Sequence, residues 1–206
     1  PRMGRQRPYV ATTDLVWRLH DAMPEFLRPA ILLGAFAGLR ISEVCGLRLQ
    51  DVDFMRGIIT PAVQFGGGPL KSQACHSSIP IPRELALEMS RSAERSRGGA
   101  LLCDELGRRL APWIVERALR EARAQVPGLD PRFRFHDLRH YYASLLISEG
   151  LDVKVVQARM RHANATTTLN VYGHMFPDKD ETSRAAVGRA MASREVSCAQ
   201  NVHRSG

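Results

Sequence analysis

Apolar residues recur at helical spacing through most of this chain, and only between Val52 and Pro82 does that spacing give way to short runs and alternation. Thr12 or Thr13 can cap a helix that carries Leu15, Val16, Leu19, Ala22 and Met23 on one face. "LRPAILLGAFAG" makes a second helix, stopped at Gly38. "APWIVERALREARAQV" opens with Pro112 in a favoured first-turn position and repeats Ile114, Val115, Ala118, Leu119 and Ala122 along one side. Asp137 to Glu149 forms another helix, ended by Gly150, after which Asp152 caps "VKVVQARM" and a short helix runs through "ATTTLNVY". In the exceptional window, "VDFMRGIITPAVQF" turns at Arg56 and Gly57, and "HSSIPIP" alternates before closing on prolines. The expected fold is therefore mainly α with a small three-stranded antiparallel sheet at the domain edge, an α+β class.

Charge narrows the partners. Lys and Arg number 29 against 21 Asp and Glu, a net charge of +8, so a polyanion is favoured and nucleic acid is the first candidate. Cys45, Cys75, Cys103 and Cys198 form no C-x-x-C pair of the kind that holds zinc or exchanges disulfides. They read as reduced thiols of a cytoplasmic protein. No apolar run reaches a membrane span, and no charged head followed by an apolar stretch opens the chain. The length suits one well-buried domain or one and a half.

The densest chemistry lies in "HDLRHYYASLL", residues 136–146. On a helical wheel Leu138, Tyr141, Tyr142 and Leu145 gather on one side, expected to face the core. His136, Arg139, His140 and Ala143 gather on the other. His136 and Arg139 stand three apart, so they are surface neighbours that can converge on one small anion. "AGLRISEVCGL" sets Arg40 just after Gly38, at a junction between helices from which a long side chain can enter a cleft. An arginine grips two phosphate oxygens at once and keeps its charge at any working pH. Farther on, "RMRHANATTTLNVYGHMF" supplies His162 and Tyr172.

Arg40, then His136 and Arg139 as H-x-x-R, then His162, then Tyr172, in that order and with a lysine between, resemble the catalytic domain of the tyrosine recombinases, the phage integrase family. "AGLRISEVCGLRLQDVDF", "HDLRH" and "ATTTLNVYGHMFP" are similar to that family's boxes, and the resemblance covers roughly residues 9 to 178. It implies attack of the Tyr172 oxygen on a DNA backbone phosphorus, leaving a 3′-phosphotyrosyl link and a free 5′-hydroxyl. Arg40 and Arg139 would clamp the nonbridging oxygens, His136 would accept a proton or orient the phosphate, and His162 would donate to a nonbridging oxygen. Lys71, in "GGGPLKSQA", matches the lysine that protonates the departing 5′-oxygen. Glu43, one turn after Arg40, and His140 would support the site. Where this chain has Arg161, the family commonly has glycine, a departure expected to alter the turn or add a phosphate contact.

The resemblance further implies no metal, ATP or other cofactor. It implies double-stranded DNA attachment sites as partners, a homotetramer on DNA and possible accessory DNA-bending proteins. Residues 1–8, "PRMGRQRP", read as a truncated interdomain linker, residues 9–178 as the catalytic domain, and residues 179–206 as a partly helical tail with Ala185, Val187 and Met191 on one stripe. Two other classes stand beside this reading. A type IB topoisomerase uses similar tyrosine chemistry to relax supercoils, and a purely DNA-binding module would be basic and helical but would not need Tyr172 in register with two arginines.

Overall fold

The computed structural model describes residues 8–70, 73–177, 184–185 and 187–189. The chain divides into two units, Pro1–Met175 and Phe176–Gly206. In the second, residues 184–185 and 187–189 are helical and Val187 is exposed; Met191, expected on the same stripe, lies outside the described residues, as do residues 1–7.

Among its described residues the first unit has eight α-helices, six of which bury residues in one apolar core. Helix α1 (Thr13–Ala22) starts where the Thr12 hydroxyl accepts the Leu15 N–H at 3.3 Å, and it buries Val16 and Leu19. Helix α2 (Arg28–Phe36) is apolar all round, and Pro29 through Ala35 are all buried. It is the central element, packed against α1, α3 (Ile41–Gly46), α4 (Arg83–Ala93) and α6 (Phe135–Ser148). A Cβ at Gly34 would come 3.0 Å from both Leu138 and Phe135, so this glycine lets α2 and α6 approach closely.

The window that broke helical spacing holds the sheet. Strands β1 (Val52–Asp53), β2 (Ile58–Ile59) and β3 (Ile79–Pro80) pair antiparallel in that order, with Val52 opposite Ile59 and Ile59 opposite Ile79. Ile59 and Ile79 face the core, as alternation requires. Helix α4 follows at once and was not anticipated. Its Leu85, Ala86, Met89 and Ser92 are buried at helical spacing behind a proline-rich lead-in that masks the start.

Helix α5 (Pro112–Arg123) buries Val115, Ala118, Leu119 and Ala122 as its spacing indicated, but Ile114 is exposed rather than part of that face. Helix α6 begins at Phe135, two residues before the expected Asp137, because the Asp137 carboxylate takes the Arg134 N–H at 2.6 Å and so occupies the third helical position. His136 therefore lies in the first turn. Asp152 caps α7 (Val153–Met160), and Asn164 caps α8 (Ala165–Tyr172).

Gly38 is the residue that turns the chain toward the site. It takes φ +62, and the Leu39 N–H returns to the Leu33 carbonyl at 3.2 Å, closing the end of α2. A Cβ there would meet the Tyr142 ring at 2.5 Å. Gly38→Ala should therefore cost about 2 kcal/mol or more, the left-handed backbone adding to the clash. Gly66→Ala, at φ +87 with open space around it, should cost only about 1 kcal/mol. Denaturant melts that place both variants at the same midpoint would contradict the packing assigned to Gly38.

Candidate active site

Two residues beyond Gly38, Arg40 occupies the N-cap of α3. Its backbone N–H donates to Glu43 Oε2 at 2.8 Å, and its side-chain NH1 donates to Glu43 Oε1 at 2.9 Å and to Cys75 Sγ at 3.2 Å. Arg40 keeps part of its side chain in solvent, whereas Glu43 is 2% exposed. Burial alone would lower the Arg40 pKa; Glu43 and Cys75 outweigh it and hold the group above its ordinary value. Burial likewise pushes Glu43 up, but Arg161 and Arg40 bring its carboxylate below the usual range.

Helix α6 contributes the second guanidinium. Arg139 is 2% exposed, with NH1 donating to the Gly38 carbonyl and NH2 to the Met160 carbonyl. Burial pushes it down to about 10, and repulsion from Arg40 and Arg161 adds to this, so it remains charged at neutral pH. The helical wheel set Arg139 and Ala143 on the side away from the core, yet both are buried. That side of α6 packs against the ends of α2 and α7 and so forms the floor of the site.

The imidazoles and the tyrosine complete it. His140 Nδ1 lies 2.7 Å from the Tyr172 hydroxyl, and the His136 ring meets the His140 ring edge to face at 4.9 Å. His162 Nδ1 lies 2.9 Å from the buried Thr168 hydroxyl. Burial pushes His140 down to about 4, helped by His136 and Arg139, and it pushes His162 down to about 4, helped by Arg139 and Arg40. Both rings are neutral at pH 7. Tyr172 is 2% exposed, and burial pushes its hydroxyl up to about 12 against the pull of Arg139.

The fold thus brings Arg40, His136, Arg139, His140, His162 and Tyr172 into one electrostatically coupled cluster, with Glu43 beneath Arg40. Lys71 lies outside the described residues. Two features escaped the sequence. His140, expected only to support, is the imidazole on the tyrosine hydroxyl. Cys75 receives one bond from each of two arginines, Arg40 at its sulfur and Arg161 at its carbonyl. Arg161 was visible as a departure from glycine, but its side chain turns inward and is fully buried. Tyr141 and Tyr142 are core residues, as the wheel indicated. Among the described residues no group of three His, Cys, Asp or Glu side chains could hold a metal ion, and no helix is long and apolar enough to cross a membrane.

A mainly helical domain with a small three-stranded antiparallel sheet is the architecture of tyrosine recombinase catalytic domains. Solved structures share it. The Tn1549 transposon integrase in complex with transposon right end DNA superposes with a TM-score of 0.73 over 90% of this chain and 67% of that one, at 22% identity. A lambda integrase tetramer bound to a Holliday junction gives 0.60 over 86% of this chain and 50% of that one, at 20% identity. The sequence pattern of the Phage integrase family matches residues 13–179, and the chain belongs to that family. Tyrosine recombinase XerA of Thermococcus kodakarensis is 33% identical over 180 residues, 82% of this chain and 59% of the relative. XerC of Halalkalibacterium halodurans is 37% identical over 152 residues, 69% of this chain and 48% of the relative. The chain thus spans less than two thirds of the length of these relatives.

The depressed histidines have a consequence for stability. The unfolded chain binds protons at these rings near pH 6.5 while the folded chain resists them until about 4, so the stability they confer is present above pH 6.5 and lost as pH falls toward 4. The urea midpoint should drop between pH 7 and pH 5. In the His140→Asn, His162→Asn double variant that drop should shrink. An unchanged drop would show that these two rings are not the groups titrating.

Proposed function

We propose that this chain is the catalytic part of a site-specific DNA recombinase that cuts and rejoins strands through Tyr172. One observation carries the reading: the Tyr172 hydroxyl sits 2.7 Å from a neutral imidazole, inside the field of Arg139, which itself lies in the field of Arg40. A tyrosine held near pKa 12 is a poor nucleophile until its proton has somewhere to go. His140 Nδ1 is within reach to take it or to orient the hydroxyl, a role the sequence alone would give to His136, its neighbour one turn earlier.

In the step we propose, the bond from Tyr172 Oη to phosphorus forms as the bond from phosphorus to the 5′-oxygen breaks. The tyrosine proton passes to imidazole, and the 5′-oxygen takes a proton from a general acid, the role given to Lys71. Arg40 and Arg139 bind the nonbridging oxygens, whose charge grows in the transition state, and His162 donates to one of them. The covalent link conserves the phosphodiester energy, so rejoining needs no ATP. Because Tyr172 is almost fully covered, engaging a phosphate requires movement at the end of α8. The partners proposed are double-stranded attachment sites, read by a homotetramer of the longer protein with accessory DNA-bending proteins. DNA complexes among the structural neighbours, one of them a tetramer on a Holliday junction, support the DNA partner and the tetramer.

The test is an SDS-resistant adduct on nicked duplex DNA in EDTA. The unmutated protein should form it and Tyr172→Phe should not. Lys71→Ala should be slower by about 10² to 10⁴ on ordinary DNA, yet recover most of its rate when the bridging 5′-oxygen is replaced by sulfur, a leaving group that needs no proton. No adduct, or an adduct that survives Tyr172→Phe, would refute the reading. A purely DNA-binding module gives the first result.

A further inference from the structure

We infer that Arg161 is the counter-ion of Glu43, a positioning residue that leaves the positive charge of Arg40 available to the scissile phosphate. This rests on the recombinase reading above. Arg161 caps α7 with φ 52 and ψ 42, and among the described residues it alone has positive φ without being glycine. That conformation costs an L-residue about 1 kcal/mol or more, and glycine would take it freely. The turn is therefore the one a glycine would make, so the arginine must be explained by its side chain.

The side chain is fully buried, too deep to reach a duplex bound outside. NH2 donates to Glu43 Oε2 at 2.5 Å, NH1 donates to the Cys75 carbonyl at 2.8 Å, and Nε is buried without a hydrogen-bond partner. A buried cation is costly unless it is paired and hydrogen-bonded, so the partners of this one are what offset its burial. Those surroundings are specific. Glu43 places its other oxygen on Arg40 NH1, so the carboxylate is shared between two guanidiniums.

Electrostatics decides what the sharing does. With Glu43 facing Arg40 alone, the two charges would cancel and Arg139 would be left as the one guanidinium with net charge at the site. With Arg161 present, three guanidiniums stand against one carboxylate, a net charge of +2. Two positive charges then oppose the charge that accumulates on the phosphate oxygens in the transition state. Glu43 thereby holds Arg40 in place, through both its backbone and its side chain, without quenching it.

The experiment uses the chain as it exists, on nicked duplexes whose scissile phosphate is either ordinary or a methylphosphonate, in which one charged nonbridging oxygen is replaced by a neutral methyl. Single-turnover adduct formation is measured at saturating DNA, with DNA affinity measured in parallel. Arg161→Gly, which suits the turn, and Arg161→Gln should each cleave the ordinary phosphate about tenfold or more slowly, with affinity changed by less than about threefold. On the methylphosphonate, which needs less positive charge, both should come within about threefold of the unmutated protein. Arg161→Lys should stay close to normal on both substrates, which tests the role even if the neutral variants fold poorly. The double variant Arg161→Gly, Glu43→Gln, which restores the net charge, should be faster than Arg161→Gly alone. Neutral variants that match the unmutated protein on ordinary DNA, or that are equally slow on both substrates, overturn the assignment while leaving the recombinase reading intact. Absence of adduct from the unmutated protein on either substrate overturns that reading and this proposal with it.

Discussion

The site depends on one buried cation that, among the described residues, has no carboxylate in ion-pair contact with it. Arg139 donates to the carbonyl of Gly38, where α2 ends, and to that of Met160, where α7 ends. The second belongs to the last residue of α7, at the helix's negative pole, and is a carbonyl that the helix cannot satisfy at its own terminus; the first lies just past the cap of α2. One planar fork therefore joins α6 to two other segments, and each delivers what lies just beyond the joint: Arg40 after Gly38, Arg161 and His162 after Met160. Removing such a group orphans two acceptors, and a buried unsatisfied acceptor costs about 1–3 kcal/mol.

The same burial sets the protonation states. Burial makes imidazolium unfavourable, with His136 and Arg139 adding to it at His140, and Arg139 and Arg40 at His162, so both rings stay neutral and keep a lone pair available. The apolar cover that lowers the histidines raises Tyr172 to about 12. With acceptor near 4 and donor near 12, the proton stays on the tyrosine at rest. On the recombinase reading proposed above, transfer becomes favourable only as a phosphate draws electron density from the oxygen, which would tie activation of Tyr172 to the arrival of substrate.

Much of this was legible in the chain itself. Caps at Thr12 and Asp152, the Pro112 start, the stop at Gly38 and the alternation around Ile59 and Ile79 are local signals, and the structure follows them. What failed was tertiary. A wheel drawn for α6 alone ranks Arg139 as polar and turns it from the core, because the carbonyls that receive it lie 101 and 21 positions away. The partner of Arg161 is 118 positions distant, so its departure from glycine could be seen but its destination could not. His140 was read as support because sequence order gives no distance to Tyr172. Helix α4 was missed because the prolines ahead of it resemble the end of a strand region more than the start of a helix.

The most direct measurement of the joint is Arg139→Lys. Lysine preserves the charge but not the planar fork, and its single ammonium cannot replace two directed bonds from the ends of a rigid guanidinium. If Arg139 holds the site together by geometry, the variant should lose about 2 kcal/mol or more in urea unfolding and form the tyrosyl adduct far more slowly, although its formal charge is unchanged. Unfolding and adduct formation at the unmutated level would contradict it, and would show that positive charge alone, rather than the tie between Gly38 and Met160, organises the site.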